Sequence, residues 1–189
     1  MTTPNILVFS GSARAGSLNG KLADLAAAEL SKLEAKVKRI SLKDFPLPVY
    51  DGDFEREHGA PPEALAFRSE LDSHHGIFIA CPEYNSGYAP MLKNTLDWAS
   101  RGLSRPLLAG KILSLGSASP SWRGGWRGLI QIQTALTVGM GATVLPDMVP
   151  VPHADKAFAA DGSLSEAAPA KMLQAAVTRL VRAATQAAS

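Results

Sequence analysis

Five short apolar runs, each followed by turn chemistry and a stretch with helical spacing, constrain this chain more than any other feature. The runs are residues 5–9 (NILVF), 36–42 (KVKRISL), 76–81 (GIFIAC), 111–115 (KILSL) and 142–145 (ATVL). Residues 18–33 place Leu18, Leu22, Leu25, Ala26, Leu30 and Leu33 three or four apart, the period of an amphipathic helix. Residues 61–73 begin with Pro61, suited to a first helical turn, and carry Leu65, Phe67 and Leu71. Residues 91–100, 126–138 and 165–187 complete the predicted helices. Strands alternating with helices close as a parallel sheet covered on both faces, joined by right-handed crossovers. A run such as GIFIAC, apolar at successive positions, suits a central strand buried on both sides. No repeat, low-complexity tract or linker divides the chain, so residues 1–189 are expected to form a single α/β domain. Residues 43–60, rich in Pro, Asp and Tyr, read as an irregular surface excursion able to face a partner.

Composition removes several function classes. At 189 residues, 46% hydrophobic and 19% charged, the chain is globular rather than disordered, and a domain this long buries roughly 70% of its unfolded surface without staples. A lone cysteine, Cys81, forbids an intrachain disulfide and suits a reducing compartment. The net charge of +2, with Lys and Arg scattered, argues against a nucleic-acid binder. The one dense stretch, Lys36-Val37-Lys38-Arg39, reads as an exposed strand edge. Met1 to Pro4 carries no basic residue, so no secretory leader is expected. The uncharged run 129–146 contains Gln131, Gln133, Thr134, Thr137, Gly139, Gly141 and Thr143, and reads as helix, turn and strand rather than a membrane span. A cytoplasmic protein that contacts neither membrane nor nucleic acid is expected.

In an open parallel sheet, ligands bind outside the carboxyl ends of the strands. Three loops lie there: residues 10–19 (SGSARAGSLN), 82–90 (PEYNSGYAP) and 116–128 (GSASPSWRGGWRG). The first runs straight into a helix, whose free N–H groups and partial positive charge make a phosphate site. Ser12, Ser17 and Asn19 can donate hydrogen bonds there, and Arg14 offers a guanidinium fork. The same residues also suit a purely structural role, with Ser17 as helix cap and Gly11 and Gly16 as turn formers. The spacing Gly11 to Gly16 is followed by Ser17 rather than the Lys of a nucleotide-triphosphate loop, and no G-x-G-x-x-G follows the first strand. Cys81 lacks an Arg-closed phosphate loop and reads as a small buried residue at a strand end. His74-His75 has no metal-ligand spacing and reads as a solvated helix end. Neither a metal site nor a catalytic side chain is expected.

The second loop carries the most information. Tyr84 and Asn85 stand beside a turn at Ser86-Gly87, able to present backbone groups to the edge of a flat heteroaromatic ring. The chain here resembles the NAD(P)H-dependent FMN reductase family, which includes quinone, azo-dye and chromate reductases. GSARAGSLN resembles the family's GS-x-R-x-x-S-x-N phosphate loop, and residues 82–98 resemble its PEYN-x-x-x-P-x-x-LKN-x-x-DW stretch. Pro46-Leu47 and Tyr50-Asp51 look like its PLY-D segment, and Ser117, Ser119, Gly124 and Gly125 like its glycine-rich third loop. The likeness covers roughly residues 5–146.

That resemblance implies a flavodoxin-like three-layer sandwich with a five-stranded parallel sheet in the order 2-1-3-4-5. It implies FMN, with Ser12, Arg14, Ser17, Leu18 and Asn19 holding the phosphate and ribityl end. Pro82, Glu83, Tyr84, Asn85, Ser86 and Gly87 would line the isoalloxazine ring, and Ser117 and Ser119 would close the cofactor. Leu92, Leu96 and Trp98 are expected in the core or at a subunit interface, and Asp97 as a structural hydrogen-bond partner. The chain departs from the family at Ser86 to Ala89, where bulkier residues are usual. Trp122, Arg123, Trp126 and Arg127 crowd the third loop, either as an acceptor or nicotinamide-phosphate site or as an aromatic–arginine packing cluster. The implied activity is ping-pong electron transfer from NADPH or NADH through FMN to a small-molecule acceptor, in a homodimer or homotetramer. A flavodoxin-type electron carrier is the alternative, disfavoured by the +2 charge because such carriers are acidic. A cofactor-free scaffold is a third reading, at odds with the intact Ser/Arg/Asn loop.

Overall fold

The sheet grows outward from β1 (Asn5–Ser10), whose residues Ile6 to Phe9 are completely buried. The structure, a computed structural model, describes residues 2–188. β1 pairs in parallel with β2 (Lys36–Arg39) on one side and β3 (Gly76–Ala80) on the other. β6 (Ile112–Ala118) follows β3, and β7 (Thr143–Val144) follows β6, so the five expected strands lie in the expected order. Between β3 and β6 the chain forms a small antiparallel hairpin of β4 (Glu83–Tyr84) and β5 (Gly87–Tyr88).

Alternation of side chains along these strands divides the interior into two layers. Ile6, Val8 and Phe78 face α1 (Leu18–Leu30) and α6 (Ala167–Ala187), where Leu22, Leu30, Val177 and Leu180 complete the packing. Leu7, Phe9, Ile77 and Ile79 face α3 (Pro62–Asp72), α4 (Pro90–Ala99) and α5 (Trp126–Thr134), meeting Phe67, Leu92, Leu96 and Ile132. Each such side chain contributes about 1.5–3 kcal/mol on burial. The result is the three-layer flavodoxin-like sandwich that the resemblance implies.

The structure departs from the expected boundaries in four places. β2 ends at Arg39, because Ser41 caps a short 3-10 turn, Leu42–Asp44, instead of continuing the strand. β6 runs to Ala118, three residues beyond its expected end, because β8 (Val149–Val151) pairs with Gly116, Ser117 and Ala118. The fifth sheet position is therefore split between β7 and β8. α5 passes at Ala135 into a wider π-type turn, Ala135–Gly139.

The excursion 43–60 is also more ordered than its composition suggests. Asp51 accepts hydrogen bonds from the N–H groups of Asp53 and Phe54 and so caps α2 (Gly52–His58). Upstream, Asn94 Oδ1 accepts from Tyr50 N at 2.8 Å, while Asn94 Nδ2 and Trp98 Nε1 both donate to Pro48 O at 2.8 Å. The LKN and DW elements of α4 thus grip the PLPVY segment, and Tyr50 packs edge-on against Trp98. Leu92, Leu96 and Trp98 are fully buried core residues. Asp97 accepts from Lys93 Nζ, a structural partner as expected. Among the described residues no helix is long and apolar enough to cross a membrane.

Candidate active site

The three loops leave the same end of the sheet because β1, β3 and β6 are parallel neighbours. Gly11 lets the first loop lie close to the second: a Cβ there would sit 3.0 Å from Leu92 and from Pro82. Ser10 Oγ accepts from Ser12 N and Ser12 Oγ from Arg14 N, winding the chain toward α1. Ser17 caps α1 by accepting from Gly20 N at 3.2 Å. Cap and phosphate roles coexist here. The cap satisfies one helix donor, while no hydrogen bond among the described residues takes the N–H of Leu18 or Asn19. Arg14 is exposed and has no carboxylate partner among the described residues.

Asn19 differs from its expected role. It is buried, and its side-chain amide makes two bonds to Ala118, donating to the carbonyl at 2.8 Å and accepting from the N–H at 2.9 Å. That pairing fastens the start of α1 to the end of β6, so its backbone N–H, not its amide, is the group left for a ligand.

The second loop is a two-residue hairpin. Its central residues, Asn85 at φ 51° and Ser86 at φ 67°, carry the left-handed backbone, while Gly87 lies in β5. The expected free turning at Ser86-Gly87 is thereby corrected, since the primed turn that matches strand twist needs positive φ at both central positions. Serine pays for this with strain of about 1–2 kcal/mol. Two bonds to α5 hold the hairpin: Arg127 Nη1 donates to Ser86 Oγ at 2.8 Å, and Gly128 N donates to Glu83 Oε2 at 2.9 Å. Glu83 also places a negative charge at the positive end of the α5 dipole. Tyr84 remains half exposed beside these contacts, with an open aromatic face.

The third loop is set by Gly124 and Gly125, at φ 60° and 81°. A Cβ on Gly125 would lie 1.9 Å from Ser117 Oγ, and one on Gly124 would lie 2.8 Å from the backbone of Val151. Ser117 is therefore sealed beneath this turn, fully buried, and its hydroxyl has no hydrogen-bond partner among the described residues. The expectation that Ser117 faces a cofactor places it wrongly, because β6 extends through it. Arg123 stacks on Trp122 at 4.1 Å, yet Trp122, Arg123 and Trp126 are all exposed and Arg127 is engaged with Ser86, so the four form no common packed cluster.

Arg14, Ser17, Leu18, Asn19, Pro82, Glu83, Tyr84 and Ser119 come together around one cleft of about 130 Å³. Ala118 and Pro120 complete its wall; the extension of β6 brings them there, and no side-chain chemistry in the sequence marks them. Ser12 lies in an adjoining groove that shares Arg14 and Ser17. Asn85, Ser86 and Gly87 form the hairpin tip and its return strand rather than the cleft wall. Open N–H groups, a Ser17 hydroxyl and an unpaired guanidinium suit a phosphate ester, and the fixed hairpin edge suits a planar ring.

Cys81, at the root of the hairpin, is buried, and burial pushes its thiol up to about 12. It is no nucleophile. His74 is buried rather than solvated, with Nδ1 2.7 Å from Glu70 O, while His75 Nδ1 accepts from Asn5 N; both stand at the opposite end of the sheet. No group of three or more His, Cys, Asp or Glu among the described residues could hold a metal ion.

Residues 4–156 match the family described as NADPH-dependent FMN reductase. A quinone reductase of Escherichia coli K12 is 34% identical over 123 residues, covering 65% of this chain and 63% of that protein, so the match spans less than two thirds of the relative. An NAD(P)H-dependent FMN reductase of Pseudomonas aeruginosa is 31% identical over 171 residues, 89% of each chain. Among solved structures, the flavoenzyme NAD(P)H:(acceptor) oxidoreductase of Paracoccus denitrificans superposes with a TM-score of 0.79 at 27% identity, over 97% of this chain and 98% of that one. With most of its length matched and its sheet in the same order, the chain belongs to the NADPH-dependent FMN reductase family.

Proposed function

We propose that this chain is an FMN-dependent oxidoreductase that passes electrons from NADPH or NADH to quinones, azo compounds, free flavin or similar small acceptors. One observation carries the reading: loops from three strand ends meet at one cleft whose donors are open on the α1 side and whose hairpin is fixed on the other. Arg14, Ser12, Ser17 and the N–H groups of Leu18 and Asn19 would hold the phosphate and ribityl end. Pro82 to Gly87 would edge the ring, and Ser119 would close the cleft from the third loop. When bound, FMN takes a hydride from a nicotinamide and hands electrons to a second substrate, the protein supplying position and electrostatics. Both substrates need the same open face beside Tyr84, so they bind in turn, a ping-pong order. The buried Cys81 thiol and the engaged Glu83 leave no side chain of the cleft with a proton-transfer duty.

The proposal takes residues 1–189 as one flavodoxin-like FMN-binding domain, cytoplasmic and working as a homodimer or homotetramer. Quinones are favoured as acceptors by the relatives' names. An electron carrier without turnover is disfavoured by the net charge of +2.

Purified protein titrated with FMN should turn yellow and quench the flavin's fluorescence. Oxidation of NADPH or NADH should then accelerate with 1,4-benzoquinone or an azo dye. Failure to retain FMN overturns the reading; FMN retention without turnover favours the carrier. Light scattering of the loaded protein reads the oligomeric state.

A further inference from the structure

A second groove, of about 260 Å³, lies outside the first loop at the carboxyl ends of β1 and β2. Four cations from three parts of the fold line it: Arg14 before α1, Lys21 on α1, Arg39 on β2 and Lys43 in the turn that follows β2. The one carboxylate among its lining residues, Asp24, is held by Arg39 Nε at 2.9 Å. Lys21 and Lys43 are exposed and have no carboxylate partner among the described residues, so the groove keeps a positive excess. Ser41 adds a hydroxyl beside them.

The position has a chemical meaning in sheets of this kind. Dinucleotide-binding folds read the adenosine ribose about 20 residues beyond the phosphate loop, with an acid for a free 2′-hydroxyl and a cation for a 2′-phosphate. Here that region carries Arg39, Ser41 and Lys43, and the nearby acid, Asp44, is turned inward to accept from Ser41 N. The arginines of the third loop are otherwise engaged, Arg127 with Ser86 and Arg123 over Trp122.

We propose that this groove is a subsite for the 2′-phosphate of NADPH, with Lys21, Lys43 and Ser41 as its contacts, and that it selects NADPH over NADH. The assignment rests on the reading of the chain as an NAD(P)H-dependent FMN enzyme. Arg14 is shared with the cofactor's cleft; Lys21 and Lys43 are not, which makes them the residues to vary.

The experiment pairs calorimetry with kinetics. Adenosine 2′,5′-bisphosphate should bind the protein about tenfold or more tightly than 5′-AMP, and K21M/K43M should abolish the difference. In the FMN-loaded enzyme the same double variant should lower kcat/KM for NADPH about tenfold or more, through KM, and leave NADH within about twofold. Flavin absorbance measured in parallel separates the two levels: loss of FMN overturns the proposed function, while calorimetry still reads the groove. Equal binding of the two nucleotides overturns the subsite. So does inorganic phosphate binding as tightly as the bisphosphate, which marks a general anion groove. A fall in NADPH selectivity with Arg123→Ala but not with K21M/K43M moves the phosphate to the third loop and also overturns it.

Discussion

The loops that follow β1 and β3 occupy equivalent places in the sheet and are built in opposite ways. The first leaves its hydrogen-bonding capacity open: Arg14 has no carboxylate partner among the described residues, and Gly16, at φ 66°, has no atom within 4 Å of where a Cβ would stand. The second is tied into α5 through Ser86 and Glu83, and the neighbouring Gly125 turn has no room for one added carbon. A flexible polar loop that meets an anion can be open, because the ligand supplies the missing partners. A loop that presents backbone to a planar ring has to be rigid before the ring arrives, or ordering it would subtract from affinity.

The sharpest way to break this contrast is Gly125→Ala. Left-handed backbone strain and overlap with Ser117 should together cost roughly 2–6 kcal/mol of folding stability, read by chemical denaturation. A cost below 1 kcal/mol would show that the third loop yields. Next comes Arg14→Ala, which should weaken FMN binding by the worth of a charge-assisted contact, about 1.5–3 kcal/mol, with an unchanged denaturation midpoint. A stability loss without an affinity loss would reverse the roles assigned to the two loops. Gly16→Ala tests the open loop by the same kind of substitution as Gly125→Ala. With nothing nearby to clash, only the left-handed backbone is penalised, about 1–2 kcal/mol. Smallest is Glu83→Gln, which keeps an acceptor for Gly128 N but removes the charge at the α5 terminus. It should cost about 0.3–1 kcal/mol, more at low salt than at high, in urea titrations at two ionic strengths.

Sheet order, layers and the three ligand loops were legible because each depends on local pattern: buried runs, helical spacing and small-residue turns. What escaped depends on partners far along the chain. Asn19 reads as a ligand donor until Ala118, 99 residues away, takes its amide. Ser117 reads as a loop hydroxyl until β8 pairs alongside it and lengthens β6. His74 looks solvated beside Ser73 and His75, but Glu70 O and the carboxyl-terminal layer enclose it. α2 was hidden because none of its residues is buried, so it has no apolar stripe to announce it; only its Asp51 cap marks it. The hairpin conformation was hidden because Asn-Ser is a poor advertisement for a turn that usually takes glycine.

The split fifth position also bears on how the protein avoids sticking to itself. An unpaired strand edge is a template for another chain, and proteins blunt it with short strands, interruptions and charge. Here one edge is broken into β7, two residues long, and β8, three residues long with Pro150 at its centre. The opposite edge, β2, has only four residues and points Lys36 and Lys38 at solvent. Neither border offers a long, flat, apolar ladder, so self-association of this fold is steered to its helices and loops, and fibrous edge-to-edge growth is disfavoured from both sides.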